Sequence, residues 1–73
     1  MIKKLYYIKY RSSENSEYLP EKITNSLNSI PKLTIVYERA DKQYLIAKLD
    51  EEYKNKVQSL EDIISVEEVK IKD

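Results

Sequence analysis

Glycine, cysteine and histidine are all absent from this chain of 73 residues. Without glycine there is no phosphate-binding loop of the Walker or dinucleotide type, because such loops need backbone amides that no Cβ atom shields. Without cysteine there are neither disulfides nor thiolate metal sites, which is compatible with a reducing cytoplasm. Histidine is the commonest general base in enzymes, and cysteine is a strong nucleophile. Because both are absent, we predict no enzyme activity, no cofactor and no metal site.

Long apolar runs and an excess charge are missing as well. Lys3, Lys4 and Lys9 interrupt the first ten residues, which excludes a signal-peptide core, and no stretch approaches the ~20 apolar residues of a membrane span. Net charge is zero, although residues 1–37 carry 6 basic and 3 acidic residues (+3) and residues 38–73 carry 7 and 10 (−3). We therefore expect one small soluble domain over residues 1–73, with no membrane partner and a charge that disfavours nucleic acid.

In the first half of the chain, the spacing of the apolar residues changes once, from a strand-like to a helix-like period. Residues 3–10 alternate as a strand that contains three tyrosines with Leu5 and Ile8. An apolar stripe at spacings of four, four and three then predicts a helix over residues 19–30. Pro20 lies in the first turn of that helix, where its missing N–H does no harm, and Pro31 is expected to end it.

The second half of the chain begins with a predicted hairpin and then continues with a helix and a strand. Residues 32–39 and 43–49 read as two strands joined by a short turn. Asp50 is placed to cap a second helix, in which one face carries Tyr53, Val57 and Leu60. Residues 63–73 then read as a last strand that runs to the end of the sequence.

This order predicts an α+β fold, the ferredoxin-like βαββαβ sandwich, with two helices on one face of a four-stranded antiparallel sheet. Alternation assigns one apolar set to the helix side: Tyr6, Ile8, Leu45, Ala47, Leu49 and Val66. The other set falls on the face that no helix covers, here called the open face: Leu5, Tyr7, Tyr44, Ile46, Val69 and Ile71. An exposed apolar patch of that size usually marks an interaction site.

Several short stretches resemble a known family. Residues 44–50 (Tyr-Leu-Ile-Ala-Lys-Leu-Asp), the pair Val57 and Leu60, and residues 62–68, which end in Val-Glu-Glu, resemble the subtilisin propeptides and the related proteinase B inhibitors. The resemblance implies a ferredoxin-like domain that binds a subtilisin-like serine protease through the open face and the C-terminal tail. It would act as an inhibitor, an intramolecular chaperone or both, and either a free inhibitor or a propeptide segment fits.

The resemblance also implies which residues contact the protease. The set on the last strand and tail is Glu67, Val69, Lys70, Ile71, Lys72 and Asp73, and the open-face set is Leu5, Tyr7, Tyr44 and Ile46. Glu67 corresponds to a carboxylate that caps a protease helix, whose N-terminal amides are unpaired. The chain departs from the family at Val69, where relatives carry a second acid, and in its shorter tail, which implies contact with outer subsites only.

Two other uses of the open face stay open. A homodimer could stack sheet on sheet and cover the same apolar residues. Alternatively, Tyr7 and Tyr44 occupy the first and third strands, where aromatic side chains of RNA-recognition motifs stack bases. The neutral charge and the lack of a glycine- and arginine-rich signature disfavour this nucleic-acid alternative.

Overall fold

The computed structural model describes residues 2–13 and 18–70. The strands and helices, in chain order, are β1 (Lys3–Tyr10), α1 (Glu21–Leu27), β2 (Thr34–Arg39), β3 (Tyr44–Asp50), α2 (Lys54–Gln58) and β4 (Ile63–Glu68). Two 3₁₀ turns, Ala40–Lys42 and Glu51–Tyr53, follow β2 and β3. Within these described ranges, neither helix has the length and apolar character needed to cross a membrane.

The four strands form one antiparallel sheet in the order β2-β3-β1-β4. The first strand–helix–strand unit is β1-α1-β2, and β3 lies between its two strands. The second unit is β3-α2-β4, and β1 lies between its two strands. This interleaving is the ferredoxin-like βαββαβ arrangement, and the predicted fold class is confirmed. The turn Ala40–Lys42 closes the predicted hairpin between β2 and β3.

The core lies between the helices and one face of the sheet. All six residues assigned to the helix side are buried, and Ile8, Leu45, Ala47 and Leu49 have no exposed surface at all. The helices complete the same cluster with Ile23, Leu27 and Val57, and Tyr10 and Ile30 close it at the ends. Period-two alternation in the strands and the apolar stripes of the helices therefore identify one common interior.

Helix α1 is shorter than its apolar stripe predicts. It begins at Glu21 rather than residue 19, and Pro20 stands just before it, where its carbonyl accepts from the Thr24 amide at 3.0 Å. After Leu27 the chain tightens, and the amide of Ile30 donates to the Leu27 carbonyl at 3.0 Å. This three-residue spacing ends the α-helix before Pro31 is reached, yet Ile30 remains buried.

Strands β2 and β3 begin later than predicted because two residues adopt left-handed backbone angles. Lys32 has φ 59° and Gln43 has φ 56°, conformations that cannot continue a strand. Asp62, before β4, has φ 70°. In a chain without glycine these turns fall on residues with a Cβ atom, which makes each of them less favourable.

The predicted capping role of Asp50 is wrong. Asp50 ends β3, and the turn Glu51–Tyr53 separates it from the start of α2 at Lys54. Its side chain makes no capping hydrogen bond. The carboxylate is instead buried, and its Oδ1 has no hydrogen-bond partner within the described residues.

The last strand also ends earlier than predicted. β4 stops at Glu68, five residues before the end of the sequence. Val69 still donates its amide to the Leu5 carbonyl at 2.8 Å, so the contact with β1 extends one residue further. Residues 71–73 of the predicted strand lie outside the described residues.

Candidate functional site: the open face of the sheet

Three rows of side chains cross the open face, because antiparallel pairing sets the strands in register. The first row contains Thr34, Lys48, Leu5 and Val69. The second contains Tyr37, Ile46, Tyr7 and Glu67. The third contains Arg39, Tyr44, Lys9 and Ser65. The open face therefore has an apolar and aromatic centre with charged residues around it.

The four predicted open-face residues come together as one patch. Leu5 and Tyr7 of β1 lie beside Ile46 and Tyr44 of β3, and all four side chains are half-buried although neither α1 nor α2 covers them. Val69 is half-buried next to Leu5 and extends the patch towards the C-terminal end. Ile71, predicted to continue it, lies outside the described residues.

Three tyrosines form the aromatic part of this patch. The rings of Tyr7 and Tyr44 stack with centroids 4.7 Å apart and planes inclined by 25°. Tyr37 leans on Tyr44 at 6.3 Å and 41°. Both distances lie in the range where aromatic pairs attract each other beyond simple burial. Because the rings contact one another, they form one continuous aromatic surface rather than separate rings that could each stack on a ligand.

Alternation did not predict Tyr37 on the open face, because a bulge precedes it. Ile35 lies opposite Ala47 on the helix side, and strict alternation would return Tyr37 to that side. The register shifts between these two residues, so Val36 is inserted as an extra residue and Tyr37 reaches the open face, 47% exposed. Nothing in the local sequence, such as a glycine, signals this insertion.

Arg39 lies at the edge of the three tyrosines and forms hydrogen bonds with two neighbouring side chains. Its Nε and one terminal nitrogen donate to the two Asp41 carboxylate oxygens at 3.0 and 2.9 Å, and its other terminal nitrogen donates to the Tyr37 hydroxyl at 3.5 Å. The guanidinium lowers the pKa of the Asp41 carboxyl below its usual value. Burial, with a smaller effect from Tyr37, raises the pKa of the Tyr44 hydroxyl. Asp41 thus neutralises Arg39.

The remaining cations of the open face have no such partner. Lys3, Lys9 and Lys48 are exposed, and none of them forms an ion pair with a residue in ranges 2–13 and 18–70. Glu67 is the exposed carboxylate of the three rows. The open face is therefore basic in a protein whose net charge is zero. Alternation already groups these lysines with Leu5 and Ile46, and it could have identified them.

The two neighbouring glutamates of β4 lie on opposite faces. Glu67 is opposite Tyr7 on the open face, whereas Glu68 is opposite Tyr6 on the helix side. Lys4 bridges Glu51 at 2.9 Å and Glu68 at 3.2 Å. These two carboxylates raise the pKa of Lys4 to about 12. Glu68 is thus engaged within the fold, while Glu67 is left to the solvent side.

The remaining members of the predicted protease-binding set lie at or beyond the end of β4. Lys70 is exposed, and Ile71, Lys72 and Asp73 lie outside the described residues. No model of a protein family matches the chain, and no curated protein or solved structure matches it either.

Proposed function

We propose that this chain is a protein-binding module that docks the open face of its sheet on a subtilisin-like serine protease. Its C-terminal tail enters the active-site cleft, and the chain acts as an inhibitor, an intramolecular chaperone or both. The protease class rests on the resemblance of residues 44–50 and 62–68 to propeptides. The docking mode is supported by one observation above all, the position of Glu67 on the apolar open face beside Tyr7.

The composition of the open face supports protein binding. Interfaces combine an apolar, aromatic centre with a polar rim, and tyrosine is among the residues that contribute most to binding. Tyr7, Tyr37 and Tyr44 supply such a centre, and lysines surround it. Each Å² of apolar surface removed from water contributes roughly 25 cal/mol before the entropy lost on association is subtracted.

Glu67 supplies a directional contact within this surface. Its exposed carboxylate stands next to apolar side chains and is not engaged in an ion pair with any described residue. The N-terminus of a helix in the protease would meet it with unpaired amides and the positive end of the helix dipole. A docked sheet would remove this contact from water and strengthen it.

A titration of the purified chain into a subtilisin-type protease tests the proposal. Hydrolysis of a small chromogenic peptide reports activity, and mass spectrometry follows the chain. We expect stoichiometric loss of activity, with cleavage confined to the tail. A protease whose catalytic serine is replaced by alanine measures docking alone by calorimetry. Full digestion without inhibition, together with no heat of binding to the inactive protease, would refute the proposal.

Binding of single-stranded nucleic acid is the second candidate. Tyr7 and Tyr44 lie on the two central strands, and Lys9 and Lys48 flank them on the same face. Against this candidate, the two rings stack on each other instead of offering two free platforms. A gel shift with single-stranded oligonucleotides that weakens with salt would support it, and no shift at low salt would exclude it.

A further inference from the structure

A groove of about 580 Å³ lies at the end of the open face where Leu5 is located. Leu5 and Val69 form its floor, joined by the 2.8 Å bond from the Val69 amide to the Leu5 carbonyl. The charged residues that line it are Lys3, Lys4, Lys48, Lys70 and Glu68. The groove thus has an apolar floor and a rim made mainly of lysines.

Most of this positive charge is not neutralised within the part of the chain that the structure describes. Lys4 is shared between two carboxylates, one of them Glu68. Lys3, Lys48 and Lys70 are exposed and form no ion pair with a described residue. Asp50, the register partner of Lys3, is buried and makes no ion pair with it. The lysines of the rim can therefore form ion pairs with carboxylates of another molecule.

The charge pattern decides between the occupants that could cover this end of the face. Two copies stacked open face to open face would oppose one basic surface to another, since each face exposes Lys3, Lys9 and Lys48 against one carboxylate, and like charges across an interface oppose association. A nucleic-acid strand would meet Glu67 in the neighbouring row, whose negative charge repels phosphate. An acidic protein surface with an exposed helix N-terminus satisfies both features, since its carboxylates pair with the lysines and the helix amides donate to the Glu67 carboxylate.

We infer that the groove binds an apolar side chain flanked by carboxylates on the surface of the docked protein. This inference rests on the proposed function and specifies the chemistry of its partner. Two residues of strand separate the rows of Leu5 and Tyr7, which is about 7 Å. The partner therefore presents a carboxylate to Lys48 about 7 Å, and another to Lys3 about 14 Å, along the strand direction from the helix end that meets Glu67.

A pair of charge-matched double variants tests the inference. Lys3→Glu with Lys48→Glu reverses the rim, and Lys32→Glu with Lys56→Glu makes the same change of charge at exposed positions outside the three rows. Calorimetry measures the binding of each to the inactive subtilisin-type protease at low and high salt. We expect the rim variant to bind about tenfold more weakly and to lose its salt dependence, because opposed charges replace attracting ones. The control should bind like the parent chain.

The outcomes separate this inference from the proposed function. Parent-like binding by the rim variant, or equal weakening of both variants, would overturn the inference and leave protease docking intact. No binding of the parent chain would overturn both. Binding of single-stranded oligothymidine that the rim variant loses, without protease binding, would assign the same lysines to nucleic acid and refute the acidic protein partner. Thermal unfolding of both variants checks that each is folded.

Discussion

Glu67 of β4 lies directly opposite Tyr7 of β1 on the open face, while its neighbour Glu68 lies opposite Tyr6 on the other side of the sheet. Replacement of Glu67 by alanine should therefore weaken docking on the protease. The expected loss is about 0.3–2 kcal/mol, the range for a carboxylate at a helix N-terminus. Calorimetry with the inactive protease measures it.

Glu68→Ala is the matched control, because it removes the same group one residue away. It breaks the 3.2 Å bridge to Lys4 and removes a negative charge from the groove beside Leu5, so we expect stability to fall slightly and docking to be kept or strengthened. An unchanged dissociation constant for Glu67→Ala, or equal losses for the two variants, would remove Glu67 from the interface.

Deletion of residues 69–73 should abolish inhibition and leave much of the docking affinity. The tail would no longer reach the cleft, while Tyr7, Tyr44 and Ile46 would still form the apolar centre. Some affinity should be lost, since Val69 covers part of the floor beside Leu5. A shorter deletion of residues 71–73 separates these two effects. Full inhibition by the chain without residues 69–73 would contradict the role of the tail.

Tyr10→Phe should stabilise the fold by about 1 kcal/mol, because a buried hydroxyl without a partner is unfavourable. The Tyr10 side chain is buried, and its hydroxyl has no hydrogen-bond partner in the described structure. Urea unfolding at neutral pH measures the change. Tyr37→Phe removes the same atom from an exposed ring and should give no gain. Lower stability of Tyr10→Phe would show that the hydroxyl is hydrogen-bonded, for instance to water.

The same tyrosine should affect stability at high pH. Burial, together with the charges of Glu38 and Asp41, raises the pKa of the Tyr10 hydroxyl. The unfolded chain then releases this proton first, at its ordinary pKa of about 10, so stability falls as the pH rises beyond that value. Tyr10→Phe lacks the group and should lose less stability between pH 9 and 11, about one unit either side of that pKa. Parallel curves for the two proteins would contradict the assignment.

Lys32→Gly should also stabilise the protein. Lys32 is exposed and holds φ 59°, a conformation unfavourable by roughly 1–2 kcal/mol for a residue with a Cβ atom. Glycine removes that penalty but gains entropy in the unfolded chain, so we expect a net gain of about 0.5–1 kcal/mol in urea unfolding. Lys56→Gly, within α2, should instead lose about 1 kcal/mol. A loss at position 32 would show that Lys32 makes a stabilising contact.

Alternation predicted the sides of the strands well because burial and the strand period depend on the same geometry. Ile8 and Leu45 are buried on one side, and Tyr7 and Tyr44 form a patch on the other. The helix ends were predicted less accurately. Apolar spacing reports which residues reach the core, and Ile30 does so from a turn beyond the helix. At Ile30, burial in the core does not require helical hydrogen bonding, so apolar spacing alone places the end of the helix too late.

The basic character of the open face could not be read from the charges of the two halves. Residues 1–37 carry +3 and residues 38–73 carry −3, yet β1 lies between β3 and β4, so the halves interleave in space. The face takes Lys3 and Lys9 from one half and Lys48 from the other. Alternation places each of these lysines on the open face, and the pairing of β1 with β3 brings the three together.

Both edge strands of the sheet carry an inserted residue, Val36 in β2 and Ile64 in β4, with about half of each side chain exposed. A bulge interrupts the hydrogen-bonding pattern and twists the strand, so an edge of this kind is a poor template for a strand from another molecule. Fibril growth through the sheet edges is thereby hindered at both ends. The two bulged edges thus oppose strand-to-strand polymerisation in a protein whose apolar sheet face is covered by neither α1 nor α2.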